Sequence, residues 1–479
     1  MRIIGLSDDR IEKLQQASLR ILSEIGVHIP HAPMLRLFQE AGAEVDLGSE
    51  RVKIAESLVV QCLKECGKTF TTYGRELSNR AEFGVGKRNY NSIAGEALWI
   101  DDQTGERRYA TLEDVAVASR LGDALDGLTI VGAMADPHEI PVSHRCVEVA
   151  ATQIKHTTKP VTFWFHDRAS LAFVLELFSA VRGSEQEAAR HPFTYLFLEP
   201  ISPLRFPFDG VDLLFEASRL PLPVSIGPMA QMGMSAPGTL AGTIAQENAE
   251  ILAGVCVTQL IRPGTPVCYG GIPHAFDMQT TQMIFAGPEQ ALMAMALTQM
   301  GKRYGLPVYI NVGLTDSKCV DAQAGLEAGI TLVCGALAGA DIFGHLGIAG
   351  VDQAASLDML VMQNEIIAYV ERIMRGFERD DESLGLEVIE AVGPGGTFID
   401  QEHTAQHFRK ELWFPKLLDR DFWSSWWEAG RKDMRSRCLE MKKQLLAEHV
   451  PTPLPDDVVR EMDQIVKAAR RHLTDQSGR

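Results

Sequence analysis

PVYINVGLTDSKCVDAQAG (307–325) is the stretch on which the fold turns. Its first part, PVYINV, is rich in β-branched and aromatic residues, as strands covered on both faces tend to be. Directly after it come Asp316, Lys318, Asp321 and Gln323, with Asp321 also placed to cap a helix beginning AQAGLEAG. In a solvated loop such a cluster means little. At the mouth of a parallel barrel it stands where active sites are built, because catalytic side chains there lie at the C-terminal ends of strands and in the loops that follow.

Working outward, six further runs share that texture: LTIVGAM (128–134), PVTFWF (160–165), FTYLFLEP (193–200), LPVSIGP (222–228), PVCYGGI (266–272) and ADIFGHLG (340–347). Between them lie apolar stripes at helical spacing, such as Leu171, Val174, Leu175 and Leu177, and Ala291, Met293, Leu297 and Met300. The alternation predicts βα units and a parallel sheet. Seven or eight units closing on themselves give a TIM-type (β/α)8 barrel, and an open doubly wound sheet is the rival. No Gly-x-Gly-x-x-Gly opens a helix, so the dinucleotide-binding form of that rival has no support and the α/β barrel is expected.

We assign residues 71–410 to the barrel, with a short antiparallel β insertion near its start. There, 83–109 is rich in Gly, Asn, Tyr and Trp and carries an Asp-x-x-Thr-Gly turn at 101–105. Residues 1–70 read as a helical cap. Ser7 and the acidic Asp8 and Asp9 open its first helix, whose stripe Ile11, Leu14, Ile21, Leu22, Ile25 ends at Gly26. Residues 411–479 read as a helical tail: DFWSSWWEAG (421–430), a charged helix to about Glu448, the linker PTPLP (451–455) and a last helix capped by Asp456. Trp423, Trp426 and Trp427 are expected to anchor this tail to the barrel or to a second subunit, and a homo-oligomer is expected.

Composition narrows the function. With 46 basic and 63 acidic residues the net charge is −17, which disfavours nucleic acid, whose binding needs clustered Lys and Arg. No stretch approaches the ~18 consecutive apolar residues of a membrane span, and MRIIGLSDDRIEKL lacks the basic start and apolar region of a signal peptide, so a cytoplasmic location is expected. The eight cysteines are scattered, and the four-residue spacing of Cys62 and Cys66 is a poor zinc pattern, so reduced thiols and no metal are expected. Nucleophile-elbow, P-loop and His-Glu-x-x-His motifs are absent.

Strand ends offer His166 and Asp167, Glu199, Gln231, Tyr269 and His274, Asn311, Asp316 and Lys318, and His345. Each has a structural alternative: Glu199 can pair with Arg205, His166 can sit at the rim, Asp316 can cap a helix. Together, with the aromatics Trp164 and Phe276, they suit a small polar or cationic ligand such as a quaternary ammonium, held by aromatic faces and diffuse negative charge.

The segments DDQTGERRYATLEDV (101–115), DALDGLTIVGAMADP (123–137), GLTDSKCVDAQAG (313–325), GADIFGHLG (339–347) and FIDQEHTAQHFRKELW (398–413) are similar, in order, to successive blocks of the trimethylamine methyltransferase superfamily. The resemblance covers nearly the whole chain. It implies a TIM-barrel enzyme that moves a methyl group from an amine to the cobalt of a corrinoid carried by a separate protein or free, with no corrinoid bound permanently. Trimethylamine-specific members carry a pyrrolysine that this sequence lacks, the loop of Lys318 and Cys319 being the nearest match to its place. The resemblance is therefore to the non-pyrrolysine branch, which acts on quaternary amines such as glycine betaine. Of the strand-end residues, Asp316, His345 and Glu199 are expected to be catalytic. From the same strand ends and the loop 313–325, Tyr269, Asn311, His274, Gln231, Lys318, Asp321 and Gln323 are expected to bind substrate, with Lys318 neutralising the aspartates or reaching a substrate carboxylate. The alternatives are a barrel methyltransferase or lyase using folate or a metal, and a silent amine-binding or scaffold protein.

Overall fold

Each of the seven apolar runs supplies a strand, and the segments between them are largely helical. The computed structural model describes residues 5–101 and 104–476, without the side chains of 475 and 476. Eight strands matter for the site: β1 (Asn89–Ser92), β2 (Val131–Gly132), β3 (Val161–Thr162), β4 (Leu196–Leu198), β5 (Val224–Ile226), β6 (Val267–Tyr269), β7 (Tyr309–Asn311) and β8 (Ile342–Leu346). β2 and β3 pair in parallel, as do β4, β5 and β6 in that order, and β7, β8 and β1. Single links join these groups. Asn91 bridges Ile130 and Tyr269 bridges Val308, both in parallel sense, and Val161 N–H donates to Phe193 O at 3.1 Å. The architecture is α/β.

β1 was not among the strands expected in the parallel sheet. Its sequence, NYNS, is polar, yet all four residues are buried. It lies inside the stretch 83–109 expected to be an antiparallel insertion, where Leu98–Ile100 pairs antiparallel with Arg107–Tyr109 and in parallel with Ala355, while just before that stretch Phe70–Tyr73 pairs antiparallel with Arg80–Phe83. In the turn at 101–105, Gly105 N–H donates to Asp101 O at 2.7 Å, while residues 102 and 103 lie outside the described residues, as do residues 1–4 of the N-terminal stretch.

Side chains alternate along each strand and sort into two cores. Ile130, Tyr195, Cys268, Tyr309 and Ile342 pack together with Phe70 and Phe83 on one side of the strands. Leu196, Leu198, Val267, Tyr269 and Ile310 belong to the larger core under the helices. The 22-residue helix Leu240–Ile261 shows why periodicity is silent where burial is nearly complete: buried from Thr243 to Gln259, with Gln246, Glu247, Asn248 and Glu250 among its covered residues, it packs against Asp8–Arg20 and Glu56–Glu65. The first of these helices runs from Ser7 as expected, but the Ser7 side chain makes no capping bond, and the last turn, Ile21–Ile25, widens to a π-helix before Gly26. Among the first 70 residues there are also three short strands, Val27–His28, Glu44–Asp46 and Arg51–Lys53, that the helical reading left out. No helix among the described residues is long and apolar enough to cross a membrane.

Candidate active site

The period of two that puts Tyr195 and Phe197 on the inner face of β4 carries Glu199 to the same face, one step past the strand end. Trp164, just past β3, meets Phe197 edge-on at 6.3 Å, and Phe197 meets Tyr309 at 5.3 Å. Two glycines make room for these rings. A Cβ on Gly227 would come within 2.2 Å of the Phe197 ring, and one on Gly344 within 2.0 Å of the Tyr309 hydroxyl. The cavity they wall is also lined by Asn91, Thr162, Tyr195, Ile272 and His345, and none of its lining residues is a lysine or arginine. Tyr309 O–H donates to Asn311 Oδ1 at 2.8 Å, Asn91 Nδ2 donates to Tyr195 Oη at 3.1 Å, and Trp164 Nε1–H donates to Gly95 O at 2.8 Å, while Asn91 Oδ1 is buried with no partner among the described residues.

Above the rings stands an acidic cluster around one imidazole. His345, near the end of β8, takes the left-handed backbone (φ 83°), as do Val351 (φ 64°) and Asp352 (φ 58°) in the loop that follows. A non-glycine residue held there costs on the order of 1 kcal/mol or more, a cost commonly met where a side chain must be aimed. Here the loop returns so that His345 Nε2–H donates to Asp352 Oδ1 at 2.8 Å. Burial alone would pull the His345 pKa down. The charge and hydrogen bond of Asp352, with Glu96 and Glu199, outweigh it and hold the imidazole above its ordinary range. Burial likewise pushes Asp352 up, but its bond to His345 leaves it below the usual carboxylate range.

No such partner serves the other two acids. Burial, then the Asp352 charge, raises Glu199 to about 7, and the same causes raise Glu96 to about 8, in both cases against the pull of His345. Glu96, His345 and Asp352 place ligand atoms within 4.8 Å of one another, a spacing that a metal ion would also tolerate. His274 is buried beside this cluster. Its Nδ1–H donates to Phe285 O at 3.0 Å, burial lowers its pKa to about 4, and its Nε2 is a buried acceptor with no partner. The Phe285 ring stacks on His274 at 4.4 Å and meets His345 edge-on at 5.8 Å.

The structure thus brings together His345, Glu199, Asn311 and, through Phe285, His274. It separates others. Tyr269 faces the helices, not the cavity: its O–H donates to Asn248 Oδ1 at 2.8 Å on helix Leu240–Ile261, because its neighbour Cys268 takes the inner face. Asp321 caps helix Ala322–Ala338, accepting from Ala324 N–H at 2.9 Å. Lys318 is exposed and donates to Asp316 O at 2.8 Å, and exposed Gln323 donates to Glu327 at 2.9 Å, so neither reaches the cavity. Gln231 opens the two-residue strand Gln231–Met232, in parallel register with His274, and its carbonyl accepts from Met234 and Ala236, while Phe276 lies in a hairpin strand apart from the cavity. Asp167 caps the helix Arg168–Arg182, while His166 stands 3.8 Å from Asp136.

Asp316 acts at one remove. Its carboxylate accepts from Phe285 N–H at 3.0 Å and Ala286 N–H at 3.2 Å, which fixes the ring lying between the two histidines. Buried Glu247 does the same for the loops after β5 and β6, accepting from Ala230 N–H at 3.1 Å and Ile272 N–H at 2.9 Å. Sequence reasoning missed Glu96, Asp352 and Tyr309. Glu96 would have been found by recognising β1, and Tyr309 by applying alternation outward from Asn311. Asp352 has no sequence signal apart from lying seven residues beyond His345.

A family model described as trimethylamine methyltransferase (MTTB) matches residues 2–474. The chain belongs to that family. The chain is similar to a glycine betaine methyltransferase of Desulfitobacterium hafniense (strain Y51). It is 29% identical over 463 residues, 96% of each chain. A trimethylamine methyltransferase MttB of D. hafniense (strain DSM 10664 / DCB-2) is 30% identical over 465 residues, 97% of this chain and 94% of that one. The crystal structure of the Methanosarcina barkeri monomethylamine methyltransferase (MtmB) aligns over 97% of this chain and 92% of that one, at 13% identity and a TM-score of 0.47. Membership of the trimethylamine methyltransferase family places the chain among methyltransferases.

Proposed function

We propose that this protein transfers a methyl group from a quaternary amine, glycine betaine or a similar compound, to cobalt(I) of a corrinoid carried by a separate protein. The observation that supports it best is the pairing of aromatic walls with uncompensated acids. Trp164, Phe197, Tyr195 and Tyr309 offer ring faces, each worth about 0.5–2 kcal/mol to a quaternary ammonium. Glu96 and Glu199, with the His345–Asp352 pair, offer negative potential in a cavity lined by no lysine or arginine. A permanent cation is the ligand that lowers the cost of ionising both glutamates.

The chemistry then asks little of the protein beyond positioning. The cobalt(I) electron pair forms the new bond to the methyl carbon while the C–N bond breaks, its electron pair staying on nitrogen as a neutral tertiary amine. No proton is needed for that leaving group, so orientation of one methyl toward the acceptor and exclusion of water are the main contributions. Once the positive charge has left nitrogen, Glu96 and Glu199 return toward their protonated forms, which favours release. We further propose that β1 to β8 close into a (β/α)8 barrel with the cavity at its C-terminal mouth. The unbroken series of parallel pairings, bridges and the Val161–Phe193 bond supports this reading.

The test is absorbance-monitored methylation of reduced cob(I)alamin with tetramethylammonium, choline and glycine betaine in turn. Formation of methylcob(III)alamin from any of them supports the proposal, and failure of all three, with the cognate corrinoid protein also supplied, defeats it. The Glu96–His345–Asp352 spacing favours a second reading, a metal-dependent methyltransferase or lyase. Stoichiometric metal in protein purified without chelators, lost together with activity on chelation, would select it.

A further inference from the structure

Two of the hydrogen-bond donors on the cavity wall are spent on the protein itself, and an acceptor is left over. Trp164 Nε1–H is taken by Gly95 O and Tyr309 O–H by Asn311 Oδ1. Asn91, on the polar strand β1, gives its amide N–H to Tyr195 Oη at 3.1 Å, yet its Oδ1 is buried and has no partner among the described residues. The residue is 4% exposed, so bulk water does not serve that oxygen. A buried acceptor without a donor is costly, and native proteins keep few of them. His274 Nε2, beside the acidic cluster, is a second acceptor of the same kind.

The same wall is hostile to a second negative charge. None of the residues lining the cavity is a lysine or arginine. His345 is the wall's ionisable cation, and it is committed to Asp352 at 2.8 Å, with Glu96 and Glu199 acting on it as well. Arg145, behind the loop after β2, is held by Asp136 at 2.6 Å and by Ile140 O at 2.9 Å. A substrate carboxylate would therefore join three acids and find one imidazolium, already paired. Like charges set together in this way are how a site turns away a close relative of its ligand.

We propose, on the basis of the quaternary-amine reading above, that the substrate is a quaternary amine whose fourth substituent ends in a hydroxyl, of the choline class, with the hydroxyl donating to Asn91 Oδ1 and carboxylate-bearing betaines turned away. Asn91 stands on the same wall as Tyr195, so one ligand lays its methyl groups on the rings and turns its hydroxyl to the amide. In the transfer, the bond from nitrogen to one methyl breaks as that carbon bonds cobalt(I). The electron pair stays on nitrogen, which gives N,N-dimethylaminoethanol from choline and leaves the O–H bond untouched. A hydroxyl donor also separates ligands more sharply than added apolar bulk, because its loss leaves the acceptor bare.

Calorimetric titration of the full chain at pH 8.5, above the values near 7 and 8 at which Glu199 and Glu96 ionise, compares choline, tetramethylammonium and glycine betaine. Choline should bind roughly tenfold more tightly than tetramethylammonium and at least ~100-fold more tightly than glycine betaine. In Asn91→Leu, which keeps a branched side chain without the acceptor, the ratio of choline to tetramethylammonium affinity should fall to within about twofold while a cooperative thermal transition is retained. The wild-type ranking keeps the test decisive if that variant fails to fold. Glycine betaine binding as tightly as choline, or choline binding no more tightly than tetramethylammonium, would overturn the hydroxyl assignment and leave the quaternary-amine reading in place. An unchanged ratio in folded Asn91→Leu would overturn it too. Binding of none of the three would overturn both.

Discussion

Two acidic clusters in this chain use the same residue types to opposite effect. In the loop 313–325, Asp321 and Lys318 face water: the aspartate caps a helix and the lysine closes a local turn. At the strand ends, Glu96, Glu199 and Asp352 surround His345 away from water, and two of the three acids are pushed to about 7 or 8. Burial makes the difference. A charge in water is cheap and does little, whereas a buried one biases what binds beside it.

The comparison is broken most sharply by removing the imidazole. With His345→Ala, three carboxylates lose the one group that opposes them, and we expect kcat/KM for the best quaternary amine to fall at least ~100-fold, a loss of about 2.7 kcal/mol. An activity within a few-fold of wild type would detach the cluster from the chemistry. The pH dependence of binding comes next. Glu199 and Glu96 ionise between about pH 7 and 8, so the Kd of tetramethylammonium, followed by calorimetry, should drop roughly tenfold from pH 6 to 9 and release protons near pH 7. A flat profile would show that the acids do not face the ligand.

Stability offers a smaller effect of opposite sign. A carboxyl whose folded pKa is raised binds its proton more tightly folded than unfolded. Its contribution is therefore full below about pH 4.5 and is lost as the pH rises through its folded value near 8. Glu96→Gln should raise Tm by about 2 °C at pH 8.5 and leave it unchanged near pH 4.5, as read by differential scanning calorimetry. The smallest effect belongs to the exposed loop: Lys318→Ala and Gln323→Ala should alter kcat and KM by less than about twofold. A large KM effect at Lys318 would bring the lysine back to the substrate.

The sequence made the fold legible wherever a strand was apolar. Seven runs became seven strands, because burial on both faces leaves a compositional mark. β1 was invisible, since a strand that turns Asn91 toward the cavity and bonds Asn89 to Glu82 O and Asp341 O reads as polar loop. The site was legible in part for the same reason. Strand-end position found His345 and Glu199, but only register distinguishes Tyr269 from Tyr309, two tyrosines on strands two or three residues from a polar loop. One packs under a helix and the other walls the cavity. Asp352 and Glu96 join the cluster by loop return and by an unrecognised strand, neither of which spacing encodes.

Gly344 carries a consequence for how this site can change over generations. The volume its side chain would occupy is filled by the ring of Tyr309 from the neighbouring strand, so the two positions share one space. Any residue larger than glycine at 344 collides with that ring, and a smaller residue at 309 alone leaves a hole. The order of substitution therefore matters: the ring must shrink before position 344 can grow. Such a pair is a ratchet, in which a lineage that once trades the tyrosine for a smaller side chain and fills position 344 cannot return by a single step.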